Sequence, residues 1–128
     1  MIVRTVEDVA GTRAQVAGDL WTSTRLLARD DGMGFTMTET VIEPGLDGTF
    51  WYKHHLEACY CVEGEAEVED LETGEVHEIR PGTLYALDRH DRHRLRSKTR
   101  VRLICVFTPA LRGDETHDED GSYLPPED

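Results

Sequence analysis

The sequence predicts an all-β fold, a small antiparallel barrel or sandwich with little helix. Turn-forming stretches such as "EPGLDG", "ETGE" and "RPG" recur at short intervals. The runs between them are short, often alternate polar with apolar residues, and are rich in Val, Ile, Thr and Tyr. Several short strands at this spacing are typical of a barrel or sandwich. The best helix candidate is one turn that begins at Thr5, where Asp8 closes a weak capping box.

The length and composition suit one globular domain. The chain has 128 residues, of which 38% are hydrophobic and 31% charged. Its net charge of -12 disfavours nucleic acid and anionic membranes as partners. Because no apolar run approaches the roughly 18 residues that span a bilayer, and no secretion signal is seen, we expect a cytoplasmic protein. The three cysteines form no CxxC pair and are expected to be buried, reduced thiols: Cys59, Cys61 and Cys105.

Strand periodicity assigns faces to the stretch "YKHHLEACYCVEGEAEVE". Glu57 shares a face with Cys59 and Cys61, and two cysteines indicate that this face is buried. After Gly64, three carboxylates of the same parity must instead face water: Glu65, Glu67 and Glu69. The inside and outside parities therefore switch at Gly64, as a turn or bulge would make them do. Glu57 is thus the carboxylate of this stretch that is predicted to be buried, and it needs a cation, a metal or a proton.

Two other strands carry polar faces. In "FTMTETVI", Thr36, Thr38 and Thr40 share one face. Such a stripe faces solvent in most proteins but lines a polar pocket in a small barrel, and the sequence leaves both readings open. In "WTSTRLL", Trp21 and Arg25 share a face.

Three long stretches occur in order over nearly the whole chain: "DDGMGF", "YKHHLEACYCVEGEAEVEDLETGEVHEIRPGTLYALDRHDRH" and "CVFTPALRGDETHDEDGSY". Together they resemble the ectoine synthase family, whose fold is a cupin barrel. The spacing from Glu57 to Gly64 is that of the first cupin motif. The histidines of usual cupin metal sites are replaced, the first pair by Phe50 and Tyr52 and the later one by Tyr85. The resemblance implies a jelly-roll-like cupin barrel.

In that family iron is held by a glutamate, a tyrosine and a histidine, and the matching residues are Glu57, Tyr85 and His93. Two oxygens and one nitrogen suit Fe²⁺ or Mn²⁺, while Zn²⁺ is an alternative because the affinity order favours it over iron. Without the resemblance, the same residues read as a buried carboxylate hydrogen-bonded to a tyrosine, with His93 on a loop. His55 shares the parity of Glu57 and is expected to support the site, whereas His54 is expected to be exposed.

The resemblance implies a hydro-lyase that closes N-γ-acetyl-L-2,4-diaminobutyrate to L-ectoine, a compatible solute made in the osmotic stress response, with release of water. Arg25 is expected to bind the carboxylate of this small-molecule substrate with its guanidinium. Matching residues of the substrate pocket are Trp21, Arg25, Thr40, Tyr52 and Phe107. Matching candidates for proton transfer are Tyr85, Glu115 and His117. We also expect a homodimer.

We divide the chain into a barrel domain, residues 1–112, and an acidic C-terminal tail, residues 113–128. Composition alone predicts that the tail is solvated. The embedded Glu115 and His117 favour a lid that orders over the pocket and excludes water.

Two other functions are compatible with a cupin barrel. A cupin that binds a small metabolite without turnover would keep Trp21 and Arg25 and need no metal. An iron-dependent dioxygenase would consume oxygen, but usual cupin oxygenases carry the histidines that this chain lacks. The chain also departs from the family pattern at Cys59, where valine is usual, without losing a proposed ligand.

Overall fold

The computed structural model describes residues 1–125, which fold as short strands joined by turns. The helical segments among these residues are α1 (Val6–Val9) and one 3₁₀ turn (Arg29–Asp31). The strands, in chain order, are β1 (Gln15–Ala17), β2 (Trp21–Leu27), β3 (Thr36–Ile42), β4 (Asp47–Phe50), β5 (Leu56–Glu63), β6 (Ala66–Asp70), β7 (Val76–Ile79), β8 (Leu84–Leu87), β9 (His93–Ser97) and β10 (Val101–Thr108). None of the described helices is long and apolar enough to cross a bilayer.

The strands form two antiparallel sheets around one core. The larger sheet has the order β1-β2-β3-β10-β5-β8, and the smaller has the order β4-β9-β6-β7. Both sheets contribute to a single cluster of buried side chains, which includes Cys105 and Phe107 from the larger sheet and Val68 and Leu95 from the smaller. The all-β prediction is therefore confirmed.

The short helix begins as the sequence predicts. The Thr5 side chain accepts a hydrogen bond from the Asp8 backbone N–H at 3.1 Å, and the Asp8 carboxylate accepts one from the Thr5 N–H at 2.8 Å. This reciprocal capping box satisfies two donors that the helix itself leaves unpaired.

The predicted parity switch at Gly64 is confirmed. On β5 the buried residues are odd-numbered: Glu57, Cys59 and Cys61. On β6 the buried residues are even-numbered, and the odd-numbered Glu67 faces outward, where it forms an ion pair with Arg96. Between the strands, Gly64 has a φ of 91°, a left-handed conformation that glycine adopts without steric cost.

We expect Gly64→Ala to destabilise the protein by roughly 2 kcal/mol or more, because the added methyl group would meet the backbone carbonyl oxygen of Arg100 as well as forcing an unfavourable φ. Gly74→Ala is the matched control, since Gly74 has a φ of 79° but open space around it and should cost only about 1 kcal/mol. Denaturant unfolding of both variants measures the difference, and equal losses would show that the close approach at Gly64 is unimportant.

Candidate active site

One row of facing residues across the larger sheet builds the floor of a pocket. Thr38, Cys105, Cys59 and Tyr85 are successive Cα partners on β3, β10, β5 and β8. Directly opposed residues in antiparallel strands point to the same face. The inward parity of the cysteines therefore directs Tyr85 inward, and it lines the pocket.

Two neighbouring rows extend this floor. Glu57 lies one row away, opposite Phe107 on β10 and Leu87 on β8. Thr40 lies in the row on the other side, opposite Leu103. The Thr40 hydroxyl is 2.9 Å from that of Thr38, which is fully buried. The threonine stripe therefore faces the interior and not solvent, and of its three residues Thr40 lines the cavity.

The smaller sheet places a histidine opposite this floor. His93 opens β9, pairs with Phe50 of β4, and is 3% exposed. Its Nδ1 lies 2.9 Å from the carbonyl oxygen of Asp91. Because a carbonyl only accepts, Nδ1 carries the proton and Nε2 is left as the free acceptor. Burial lowers the pKa of His93, so the ring is neutral near pH 7 and suited to bind a cation.

A cavity of about 50 Å³ lies between the two sheets, and eight of the ten residues predicted for the site line it. Its volume admits only a few water molecules. Arg25 and Glu115 are absent from its lining. The eight are Trp21, Thr40, Tyr52, Glu57, Tyr85, His93, Phe107 and His117.

Glu57 is the strongest argument for a cation in this cavity. Burial raises the pKa of Glu57 well above its ordinary value, and no lysine or arginine within residues 1–125 forms an ion pair with it. Burial also raises the pKa of Tyr85 well above its ordinary value. A divalent cation would offset both desolvation costs, so Glu57, Tyr85 and His93 fit a site for such an ion.

Arg25 has a different environment from the one that the sequence suggests. Its side chain is buried, at 2% exposure. The guanidinium donates to two hydroxyl groups, those of Ser23 at 3.0 Å and Tyr123 at 3.1 Å. It also donates to two backbone carbonyl oxygens of the tail, those of Gly113 at 3.0 Å and Glu115 at 2.8 Å. The structure therefore does not show a guanidinium that is free to bind a substrate carboxylate. Arg25 holds the tail on the barrel, and its contact with substrate stays a prediction.

Glu115 is also occupied within the tail. It is 6% exposed, and its carboxylate accepts hydrogen bonds from the backbone N–H groups of Arg112 and Gly113, each at 2.8 Å. These bonds close the turn by which the chain leaves the barrel. The proton-transfer role predicted for Glu115 is untested, whereas its structural role at this turn is evident.

His117 is the tail residue that reaches the cavity. Its Nε2 lies 2.8 Å from the Tyr52 hydroxyl, its ring stacks on Tyr123 at 4.7 Å, and Trp21 packs edge-on at 5.0 Å. Burial, with Arg25 nearby, lowers the pKa of His117 to about 4, so the ring is neutral near pH 7.

The described part of the tail is only partly solvated. Ser122 and Tyr123 are buried at 0% and 2% exposure, and Tyr123 belongs to the core cluster. The tail thus packs on the barrel at these residues, whereas Asp114, Thr116, residues 118–120, Leu124 and Pro125 are exposed. The lid stays a prediction. The last three residues of the predicted tail, 126–128, lie outside the described residues.

Sequence reasoning missed several residues of the site. Tyr123 was missed because an acidic tail offers no periodicity, and its signal is the single aromatic residue in that segment. Cys105 was assigned to the core without being linked to the pocket that it lines. His54 is exposed as predicted. His55 is 1% exposed, and neither ring nitrogen has a hydrogen-bond partner within the described chain, so its predicted support of the site is not seen as a bond to Glu57.

The docked tail is expected to loosen in acid. His117 has a folded pKa of about 4 against 6.5 when unfolded, so between these values the unfolded chain binds a proton that the folded chain does not. The stabilisation is complete above pH 6.5 and is lost as pH falls toward 4, a change on the order of 3 kcal/mol. Thermal unfolding from pH 7 to pH 4 should show a steeper loss in the wild type than in His117→Gln, and parallel curves would contradict the assignment.

Solved structures with a similar fold indicate the fold class of the chain. An RmlC-like cupin from Shewanella frigidimarina has a TM-score of 0.62 at 21% identity, covering 75% of this chain and 82% of its own, a likeness of fold alone. The two antiparallel sheets around one cavity give the chain the cupin fold.

The family follows from closer relatives. The family model described as ectoine synthase matches residues 1–127. The L-ectoine synthase of Desulfosudis oleivorans is 56% identical over 124 residues, or 96% of each chain. A crystal structure of ectoine synthase from P. lautus has a TM-score of 0.87 at 45% identity and covers 100% of this chain and 94% of its own. The chain belongs to the ectoine synthase family.

Proposed function

We propose that the chain catalyses closure of N-γ-acetyl-L-2,4-diaminobutyrate to L-ectoine with release of water. One observation carries the proposal: a chain that matches the ectoine synthase family from residue 1 to residue 127 encloses a cavity whose lining includes Glu57, Tyr85 and His93. The reaction forms a bond between the α-amine nitrogen and the acetyl carbonyl carbon, and the carbonyl oxygen leaves as water.

The cavity favours this reaction by holding the substrate folded. The two reacting groups belong to one molecule, so fixing them in contact is worth up to roughly 7 to 11 kcal/mol in well-aligned cases. Aromatic walls that impose a compact shape come from Trp21, Phe107 and Tyr52. Because the cavity of about 50 Å³ admits only a few waters, the tail must move for substrate to enter and must close again over it.

Proton transfer is assigned to the residues at the cavity wall. The attacking amine must be neutral and the departing oxygen needs a proton, and the candidates at the cavity wall are Tyr85 and His117. A ring with a pKa of about 4 binds a proton weakly, so His117 suits passing a proton on rather than holding one. The Tyr52 hydroxyl, at 2.8 Å, fixes the orientation of the His117 ring.

A metal ion is part of this proposal. Glu57, Tyr85 and the Nε2 of His93 would hold Fe²⁺, with Mn²⁺ and Zn²⁺ as alternatives for the same oxygen and nitrogen donors. When bound, the ion supplies Lewis acidity toward the acetyl carbonyl, which is otherwise a poor electrophile.

The test is incubation of purified protein with anaerobically added Fe²⁺ and N-γ-acetyl-2,4-diaminobutyrate, with ectoine detected by proton NMR. Formation of ectoine only with the metal supports the proposal. Binding of the amide without turnover would indicate a metabolite-binding cupin, and oxygen consumption would indicate a dioxygenase.

We also propose that the protein is a homodimer in a reducing compartment such as the cytoplasm, which suits its three free thiols. The outer face of β5 and β8 supports self-association, because Tyr60 and Leu84 face each other across these strands and are 46% and 62% exposed. We expect Leu84→Arg to shift the mass in sedimentation velocity from dimer to monomer. An unchanged mass would place the interface elsewhere.

A further inference from the structure

Two thiols and a carboxylate converge in the floor of the cavity. Ligand atoms of Glu57, Cys59 and Cys105 all lie within 4.8 Å of one another. The residues are 9%, 1% and 2% exposed, and both cysteines are free. The strand register causes the convergence, since Cys59 and Cys105 are direct partners on β5 and β10 and Glu57 lies two residues before Cys59 on the same face.

We propose that Glu57, Cys59 and Cys105 form a second coordination site, selective for a thiophilic divalent cation of the Zn²⁺ type. This inference goes beyond the proposed function, which assigns no role to either thiol. Thiolate ligands favour zinc over the hard cations that carboxylates and phenolates prefer. Two sulfurs bound to one zinc at about 2.3 Å lie about 3.8 Å apart, so the Cys59 and Cys105 sulfurs, which lie within 4.8 Å of each other, need to close by at most about 1 Å.

The two sites compete for Glu57, which is a proposed ligand of both. Among the residues of 1–125 that line the cavity, Glu57 is the only carboxylate. A cation held by the thiols occupies this carboxylate next to Tyr85, which lies directly opposite Cys59 on β8. Zinc bound there would therefore oppose the loading of an ion at the oxygen and nitrogen donors.

A matched control exists in the same strand. Cys61 is 0% exposed and lies two residues beyond Cys59 on the same face, but its sulfur is directed to the carbonyl oxygens of Glu63 at 3.3 Å and Gly64 at 3.7 Å. Cys61 thus equals Cys59 in burial and residue type while lying outside the cluster.

The experiment titrates the full-length protein, stripped of metal by a chelator and kept reduced with a phosphine under anaerobic conditions, with Co²⁺. Thiolate ligands give cobalt an intense near-ultraviolet charge-transfer absorption that carboxylate and imidazole ligands do not. We expect one Co²⁺ per chain with this absorption, displaced by an equivalent of Zn²⁺. Cys59→Val and the nearly isosteric Cys59→Ser should weaken cobalt binding about tenfold or more and reduce the absorption per bound ion, whereas Cys61→Val should change neither.

Two further variants separate the sites. Cys105→Val should behave like Cys59→Val, and Tyr85→Phe should keep the thiolate absorption. Cobalt binding without that absorption, equal effects of Cys61→Val and Cys59→Val, or loss of the absorption in Tyr85→Phe would each overturn the second site. Because ectoine formation is measured separately with Fe²⁺, failure here would leave the proposed reaction standing, and the reverse also holds.

Discussion

Replacing Glu57 by glutamine is expected to remove bound iron and to lower turnover more than about 100-fold. The amide keeps the shape of the side chain but cannot supply the negative charge that a divalent cation needs, and loss of a ligand should cost more than the roughly 10- to 100-fold typical of outer hydrogen-bond partners. Iron content by elemental analysis and ectoine formation by NMR should fall together.

The fold of this variant should survive. Burial raises the pKa of Glu57 well above its ordinary value, so in the metal-free protein a neutral amide is no more costly to bury than the native carboxyl group. We therefore expect the melting temperature of metal-free Glu57→Gln to equal or exceed that of the metal-free wild type. The exposed Glu65→Gln, just beyond Gly64, is the control and should leave iron content and turnover unchanged. Full iron occupancy in Glu57→Gln would remove Glu57 from the ligand set.

The floor of the site could be predicted from the sequence because strand parity is strictly periodic. The alternation of Glu57, Cys59 and Cys61 indicated an inward face, and the acidic run after Gly64 located the point where parity switches. Register across strands is a long-range property and was not accessible in this way. The pairing of Cys59 with both Cys105 and Tyr85 sets the composition of the cavity, and only the structure shows it.

The contacts of the tail with the barrel could not be predicted from local sequence patterns. The acidic composition of the tail predicted a solvated segment, yet Tyr123 packs into the core and Arg25 donates to two carbonyl groups of the tail. These contacts join residues about 90 positions apart in the chain, so no local pattern encodes them. Arg25 was predicted to be a substrate ligand because the family resemblance places it in the pocket and a guanidinium fits a carboxylate. In the structure its acceptors include two backbone carbonyls of the tail.

The tail attachment leads to the second large expected effect: Arg25→Ala should destabilise the protein by roughly 3 kcal/mol and lower its melting temperature by about 10 °C. The substitution leaves the carbonyl groups of Gly113 and Glu115 without their donor in a buried setting, and it removes the cation that lies 5.5 Å from the centre of the Tyr123 ring. With the tail released, His117 leaves the cavity and kcat should fall.

Arg94→Ala is the control for this prediction. Arg94 pairs with Asp47 at 2.6 Å, but the two side chains are 41% and 48% exposed, so the loss of stability should be much smaller than that of Arg25→Ala. Thermal unfolding, limited proteolysis of the segment after Gly113, and steady-state kinetics together distinguish two roles for Arg25. If it holds the tail, Arg25→Ala should show a lower melting temperature, faster cleavage and a reduced kcat. A variant with wild-type stability and protease resistance but a raised KM would instead show that Arg25 binds the substrate carboxylate.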